Sequence, residues 1–380
     1  MSAQNIQVLK PKFEIEETLN EIRQCLEIGW TGAGFKTVEM EEAWKKYTDL
    51  PHAHFVASAT AALHIAVAIL KLRHNWKDGD EIVSTGMTFI STNHAIAAEN
   101  MKPIFADIDS YGCMDPESLE SKIGPKTRAV IFVGLGGNTG QLEKIVEICN
   151  RHNVKLILDA AHMAGTTLNG ECPAKLVDIT CYSFQAVKNL PTGDAGMICC
   201  MDAELDAMAR KFAWLGISQD TYSRTGAKGD YKWMYDIEYL GYKYNGNAIM
   251  AAIGLVALRH LDEQNAYRRQ ISAWYRELLG GHEGIELIEM APNCQASQHL
   301  CQILVQDRDK MMQDLYAEGI FPGVHYRDNT QYKMYSYGQG TVPKTAYFSN
   351  HILSLPLHLH LEKADIKRIT RAVINSISEG

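Results

Sequence analysis

Leu-Asp-Ala-Ala-His (158–162), Asp178, Cys-Tyr-Ser-Phe-Gln-Ala-Val-Lys-Asn (181–189) and Gly193-Asp194-Ala195-Gly196 make up the stretch that decides the reading of this chain. The run Lys-Leu-Ile-Leu-Asp (155–159) is too uniformly apolar for a sheet with one wet face, so it reads as a buried parallel strand ending at Asp159. In open α/β sheets, ligands bind at the carboxyl ends of the strands. Lys188 follows 29 residues later, behind a further strand, which carries an amine toward the same sheet edge.

Outward from that stretch, short apolar runs alternate with helix-like segments from about residue 54 to 200, the pattern of a mostly parallel sheet flanked by helices. The strands predicted are His54–Ala57, Glu81–Ser84, Pro103–Asp107, Ala129–Val133, Lys155–Asp159, Ile179–Phe184 and Gly196–Cys200. Leu142, Ile145, Val146 and Ile148 recur at helical spacing and mark a crossover helix. An apolar run from Asn247 to Leu261 and a charged one from Glu263 to Leu279 give one or two long helices. They lead from a large domain, 1–258, into a smaller C-terminal α+β domain, 259–380. There Cys301–Val305 and Ile352–Leu355 read as strands, and Asp309–Glu318 and Lys363–Ser378 as helices.

A carboxylate and a lysine at one sheet edge suit pyridoxal 5'-phosphate (PLP). Its pyridine nitrogen must stay protonated to draw electrons, and an ionised aspartate stabilises the pyridinium. Desolvation lowers a lysine pKa and frees the neutral amine to form an imine. Taken singly, Asp159 also suits a helix N-cap, Ser183 a satisfied strand hydroxyl and Lys188 a solvated side chain. Ser58-Ala59-Thr60-Ala61-Ala62-Leu63 places small residues where a strand turns into a helix. That arrangement suits either tight packing or a phosphate at the helix start. Phe89, after Thr88, is either core or a flat face on which a ring could stack.

Across nearly its whole length the chain resembles the DegT/StrS family of PLP-dependent sugar aminotransferases, of the aspartate-aminotransferase fold (PLP fold type I). Beside the segments above, the resemblance runs through Gly79-Asp80-Glu81-Ile82-Val83, Pro103-Ile104-Phe105-Ala106-Asp107-Ile108-Asp109, His325-Tyr326 and Ser354-Leu355-Pro356-Leu357-His358, in the family's order. It implies that Lys188 is the Schiff-base lysine, Asp159 the pyridinium partner and His162 a residue against the ring or its hydroxyl. It also implies that Phe89 stacks on the ring, and that Ala59, Thr60 and Ser183 meet the phosphate. A homodimer is implied in which each pocket is completed by the neighbour, with Lys243 or Asn247 reaching the neighbour's phosphate. His325, Tyr326 and Arg224 are substrate candidates, with Lys228 and Arg327 as further cations. Departures from the family's pattern are Lys243 in place of asparagine, Asn245 in place of arginine, Ser58-Ala59 in place of Asn-Gly, Gly86 in place of proline, and Gly134-Leu-Gly-Gly-Asn-Thr-Gly140 in place of a loop carrying histidine and tyrosine.

The activity implied is amino transfer from L-glutamate to a keto group on a nucleotide-linked sugar. A dehydratase branch of the same family carries histidine in place of the lysine, so Lys188 favours transamination. A regulatory protein on this fold is the other alternative, and the intact Lys188 and Asp159 speak against it. Composition sets the outer bounds. A net charge of −8 disfavours nucleic acid and anionic membrane as partners but permits a local phosphate pocket. Nine dispersed cysteines without a CxxC pair suggest neither a disulfide framework nor a metal site. With no leader-like N-terminus and no apolar run of spanning length, a cytoplasmic location is expected.

Overall fold

The computed structural model describes residues 5–217 and 235–378. Seven strands form the main sheet: β1 (His54–Val56), β2 (Glu81–Thr85), β3 (Lys102–Ala106), β4 (Thr127–Val133), β5 (Lys155–Asp159), β6 (Ile179–Ser183) and β7 (Gly196–Cys200). They are the seven read from the sequence, with ends shifted by a residue or two. Their spatial order is β1-β7-β6-β5-β4-β2-β3. Only β7 runs against its neighbours.

Alternation along the strands builds two cores rather than one. Val130, Phe132, Leu156 and Leu158 point to one face and pack with Trp44, Met163 and Leu255. Ala129, Ile131, Ile157 and Ile179 point to the other and pack with Ile65, Ile69 and Leu205. Both faces are therefore dry, which is why these strands carry no polar alternation. The helix Ala59–Arg73 is apolar around most of its circumference because it is buried nearly throughout. Its start is fixed by Ser58, whose Oγ accepts from the Ala61 N–H at 3.1 Å.

Two helices, Ala248–Arg259 and Leu261–Leu279, lead to the C-terminal part. That part holds a three-stranded antiparallel sheet of β8 (Ile285–Leu287), β9 (Cys301–Val305) and β10 (Ile352–Leu355), with β9 in the middle. Helices Arg308–Ala317 and Lys363–Ser378 pack together beside it. β8 had no sequence signal, because three half-exposed residues carry no period. The first described residues depart from the expected division. Ile6–Gln7 pairs in parallel with Ile320–Phe321, and Ile6 is buried in the C-terminal core with Ile303 and Ile369.

The fold thus gathers the carboxyl ends of β2, β4, β5 and β6, the amino end of the reversed β7 and the start of the helix Ala59–Arg73. Residues 297–299 and 325–326 close over them from the C-terminal part.

Candidate active site

These elements enclose a cavity of about 440 Å³. Ala59, Thr60, Phe89, Asp159, His162, Ser183, Lys188, His325 and Tyr326 all line it. Nine of the residues singled out from the sequence therefore meet in one place.

Asp159 sits at the end of β5, 4% exposed. Its Oδ2 accepts from Thr92 Oγ1 at 2.7 Å, and its Oδ1 from the Ala161 N–H at 3.1 Å. Burial raises its pKa, while these two donors and the nearby Lys188 charge pull the other way. Such a carboxylate gains most from a cationic partner inside the cavity.

Lys188 lies in the turn between β6 and β7. Its N–H donates to the Gln185 carbonyl at 2.8 Å, and Thr192 closes the turn through both its N–H and its hydroxyl to the Phe184 carbonyl. The neighbouring Asn189 anchors the turn from below, donating to Asn265 Oδ1 and to the Ser297 carbonyl, each at 2.7 Å. Burial pulls the Lys188 pKa down to about 8, with Asp159 opposing the shift. Near neutrality roughly a tenth of such an amine is neutral, far more than for a free lysine, and the neutral form is what a nucleophilic amine needs.

His162 is buried and held neutral by burial, by the Lys188 charge and by the adjacent His299 and His325. Its Nδ1 is 3.2 Å from the Gly136 N–H and can only accept there. The ring proton is therefore on Nε2, which donates to the Tyr326 hydroxyl at 3.1 Å. Tyr326 is then free to donate its own proton elsewhere. His325 Nδ1 is 2.9 Å from Ser354 Oγ, and burial with the Lys188 charge lowers its pKa to about 4.

At the other end, the first N–H groups of the helix Ala59–Arg73 face the cavity beside Ser183. Gly196 of β7 makes this close approach possible: a Cβ there would stand 2.6 Å from the Ser58 carbonyl carbon and 2.7 Å from the Ala59 nitrogen. Phe89 is 58% exposed, an unusual state for a phenylalanine, with its ring 6.0 Å from that of Tyr326. The cavity therefore offers an anion-binding helix end, an aromatic face, a buried carboxylate and an amine. This donor set fits PLP: Ala59, Thr60 and Ser183 would hold its phosphate, Phe89 would meet its ring, Asp159 its nitrogen and Lys188 its aldehyde carbon.

Other sequence candidates lie elsewhere. Lys243 stands 3.0 Å above the centre of the Trp214 ring, and neither it nor Asn247 lines this chain's cavity. The Asn247 side chain caps the helix Ala248–Arg259, accepting from the Met250 N–H at 3.0 Å. Arg224 and Lys228 fall outside the described residues. Arg327 is exposed and rests on the Tyr332 ring. Sequence reasoning missed Thr92, which looks like any helix threonine, and His299, which lies beyond β8 in a segment without regular structure. The glycine-rich loop 134–140 packs against the site, with Gly134 in the cavity wall. Gly136 N–H and carbonyl bond to His162 and to the His299 N–H, and a Cβ at Gly137 would collide with Ser297 Oγ.

Residues 12–374 match the DegT/DnrJ/EryC1/StrS aminotransferase family. The spore coat polysaccharide biosynthesis protein SpsC of Bacillus subtilis is 30% identical over 371 residues, 94% of each chain. Spr1654 of Streptococcus pneumoniae, solved in PLP and PMP forms, superimposes with TM-scores of 0.90 and 0.91 at 26% identity, over 99% of this chain and 99% and 100% of its own two chains. The sugar aminotransferase CalS13 of Micromonospora echinospora gives 0.88 at 26% identity, over 99% of this chain and 100% of its own. The match over almost the entire length, with the lysine and aspartate in one cavity, makes the chain a member of the DegT/DnrJ/EryC1/StrS aminotransferase family.

Proposed function

We propose that this chain is a PLP-dependent sugar aminotransferase that takes the amino group of L-glutamate and delivers it to the keto carbon of a nucleotide-linked sugar. The observation that carries the reading is the pairing of Lys188 and Asp159 across one cavity. The amine is kept partly neutral and the acid is kept buried between two donors. When bound, PLP supplies an electron sink that acidifies the donor's α-carbon and stores nitrogen between the two half-reactions.

Each remaining step belongs to the chain's own residues. Lys188 would hold the coenzyme at rest, and its amine, when free, would move a proton at the donor's α-carbon. Asp159 holds the proton on the pyridine nitrogen, and Thr92 keeps Asp159 ionised and aimed. Phe89 covers one ring face, and the helix start at Ala59 and Thr60 fixes the phosphate. Tyr326, its oxygen already occupied by the His162 proton, presents a donor to substrate oxygen. The sugar as acceptor is supported by SpsC and CalS13, and the coenzyme by the two forms of Spr1654. A homodimer in which Lys243 or Asn247 reaches the neighbouring pocket accords with both side chains being exposed outside their own.

Incubating the holoenzyme with L-glutamate and a panel of nucleotide-linked keto sugars, read by mass spectrometry, tests the reading. An amino sugar formed together with 2-oxoglutarate is the expected product. Loss of a hydroxyl without gain of nitrogen would turn the reading toward a dehydratase.

A further inference from the structure

Arg268 is a buried cation with no carboxylate partner among the described residues. Its side chain is in a residue only 8% exposed, and among the described residues it forms no ion pair. Among the described residues its one side-chain hydrogen bond runs from Nη1 to Asn265 Oδ1, at 3.4 Å. A buried charge is costly unless nearby dipoles answer it. Here the answering dipoles are two amides arranged in a chain.

Asn265 Oδ1 also accepts from Asn189 Nδ2 at 2.7 Å, while Asn265 Nδ2 donates to the Ala164 carbonyl at 2.9 Å. Asn189 Nδ2 places its second proton on the Ser297 carbonyl at 2.7 Å. With both protons spent, Asn189 has only its oxygen to offer His299, whose Nδ1 is 2.9 Å away. His299 Nδ1 must therefore carry the proton and donate. Because a guanidinium has donors and no acceptor, the orientation of the whole chain is fixed from its charged end.

An imidazole protonated on Nδ1 keeps its lone pair on Nε2. That nitrogen meets no partner among the described residues, and the ring lines the cavity that also holds Lys188. Burial and the charges of Lys188, His325 and Arg268 all oppose a second proton on this ring. The ring stands 4.3 Å from that of His162, which has the opposite tautomer. Lys188 Nζ likewise has no hydrogen-bond partner among the described residues.

We propose that His299 is a positioning residue for Lys188. Its Nε2, kept bare by the chain from Arg268 through Asn265 and Asn189, faces the cavity it shares with Lys188 and accepts a hydrogen bond from the Lys188 amine once substrate has displaced that amine in the holoenzyme, and so holds it over the carbon whose proton it moves. This rests on the aminotransferase reading and deepens it. A lysine amine rides on a flexible four-carbon stem, and one fixed acceptor removes much of its rotation at the moment of proton transfer.

The test compares wild type, His299→Phe and His299→Gln as holoenzymes in single turnover with L-glutamate, followed by the visible absorbance of the coenzyme. His299→Phe should lower the maximal rate by roughly 10- to 100-fold, with half-saturating glutamate changed by less than about three-fold. His299→Gln, whose amide oxygen is an acceptor, should recover most of that loss. Independently of turnover, NMR of coenzyme-free protein with labelled histidines should show His299 protonated on Nδ1 and bare on Nε2, the signal being assigned by its absence in His299→Gln. The proposal is overturned by a proton on Nε2, by a His299→Phe rate within about two-fold of wild type, or by a glutamine variant as slow as the phenylalanine one. If His299→Phe does not fold, the glutamine rate and the tautomer still decide. A wild type that ignores glutamate would instead sink the aminotransferase reading itself.

Discussion

Thr92 Oγ1 lies 2.7 Å from Asp159 Oδ2, and Thr88 Oγ1 lies 2.8 Å from Thr92 Oγ1. The aspartate can only accept, so Thr92 gives it its single proton and must receive one from Thr88. The two hydroxyls form a directed relay that ends on the carboxylate proposed to face the coenzyme nitrogen.

Thr92→Val should therefore weaken catalysis without emptying the site. A hydrogen bond to an ionised group contributes about 1.5–3 kcal/mol, so turnover should fall roughly 10- to 100-fold. Thr92 lowers the Asp159 pKa, so its loss raises that pKa and moves the acid limb of the rate profile to higher pH. Asp159→Ala should retain some coenzyme while losing nearly all turnover. Steady-state rates across pH, with coenzyme content measured in parallel, check both variants.

The Lys188 pKa of about 8 makes coenzyme loading a pH measurement. The neutral amine reacts, so the rate at which coenzyme-free protein gains its visible band should climb with pH and level off above about 8. Asp159 raises this pKa, so Asp159→Asn should shift the midpoint downward. A midpoint near the usual lysine value would show that burial does not act on the amine.

Much of this architecture was legible in advance, and the reasons lie in particular residues. β4 and β5 are apolar on both faces because helices cover both faces, so Ala129–Val133 and Lys155–Asp159 announced a buried parallel sheet. Asp159 and Lys188 were legible because strand ends bring functional groups together. Thr92 and His299 were not. Each gains its role only from a partner distant in sequence, Asp159 for the one and Asn189 for the other. The pairing of Ile6–Gln7 with Ile320–Phe321 was hidden for the same reason, since two residues hold no period.

Gly196→Ala tests the phosphate end. The added methyl group would meet the Ser58 and Ala59 backbone at 2.6 and 2.7 Å, and backbone cannot swing aside. Overpacking of this kind costs about 1–3 kcal/mol, and the helix start should move away from the anion. Coenzyme affinity should fall more than global stability, as read by titrating coenzyme-free protein and by denaturant unfolding.

Lys243 bears on whether sites are shared between subunits. If it serves the neighbour's pocket, Lys188→Ala and Lys243→Met chains should each be poorly active alone. Mixed after dissociation, they should regain about a quarter of wild-type activity, because half the dimers then hold one native site. No recovery on mixing would confine Lys243 to its own chain, over Trp214.

The pairing of Lys188 with Asp159 is tested most directly by the absorbance of protein loaded with PLP. Wild type should show a visible band that L-glutamate bleaches toward the pyridoxamine form, and Lys188→Ala should never show the band. A wild-type band indifferent to glutamate, or the same band in Lys188→Ala, would contradict the assignment.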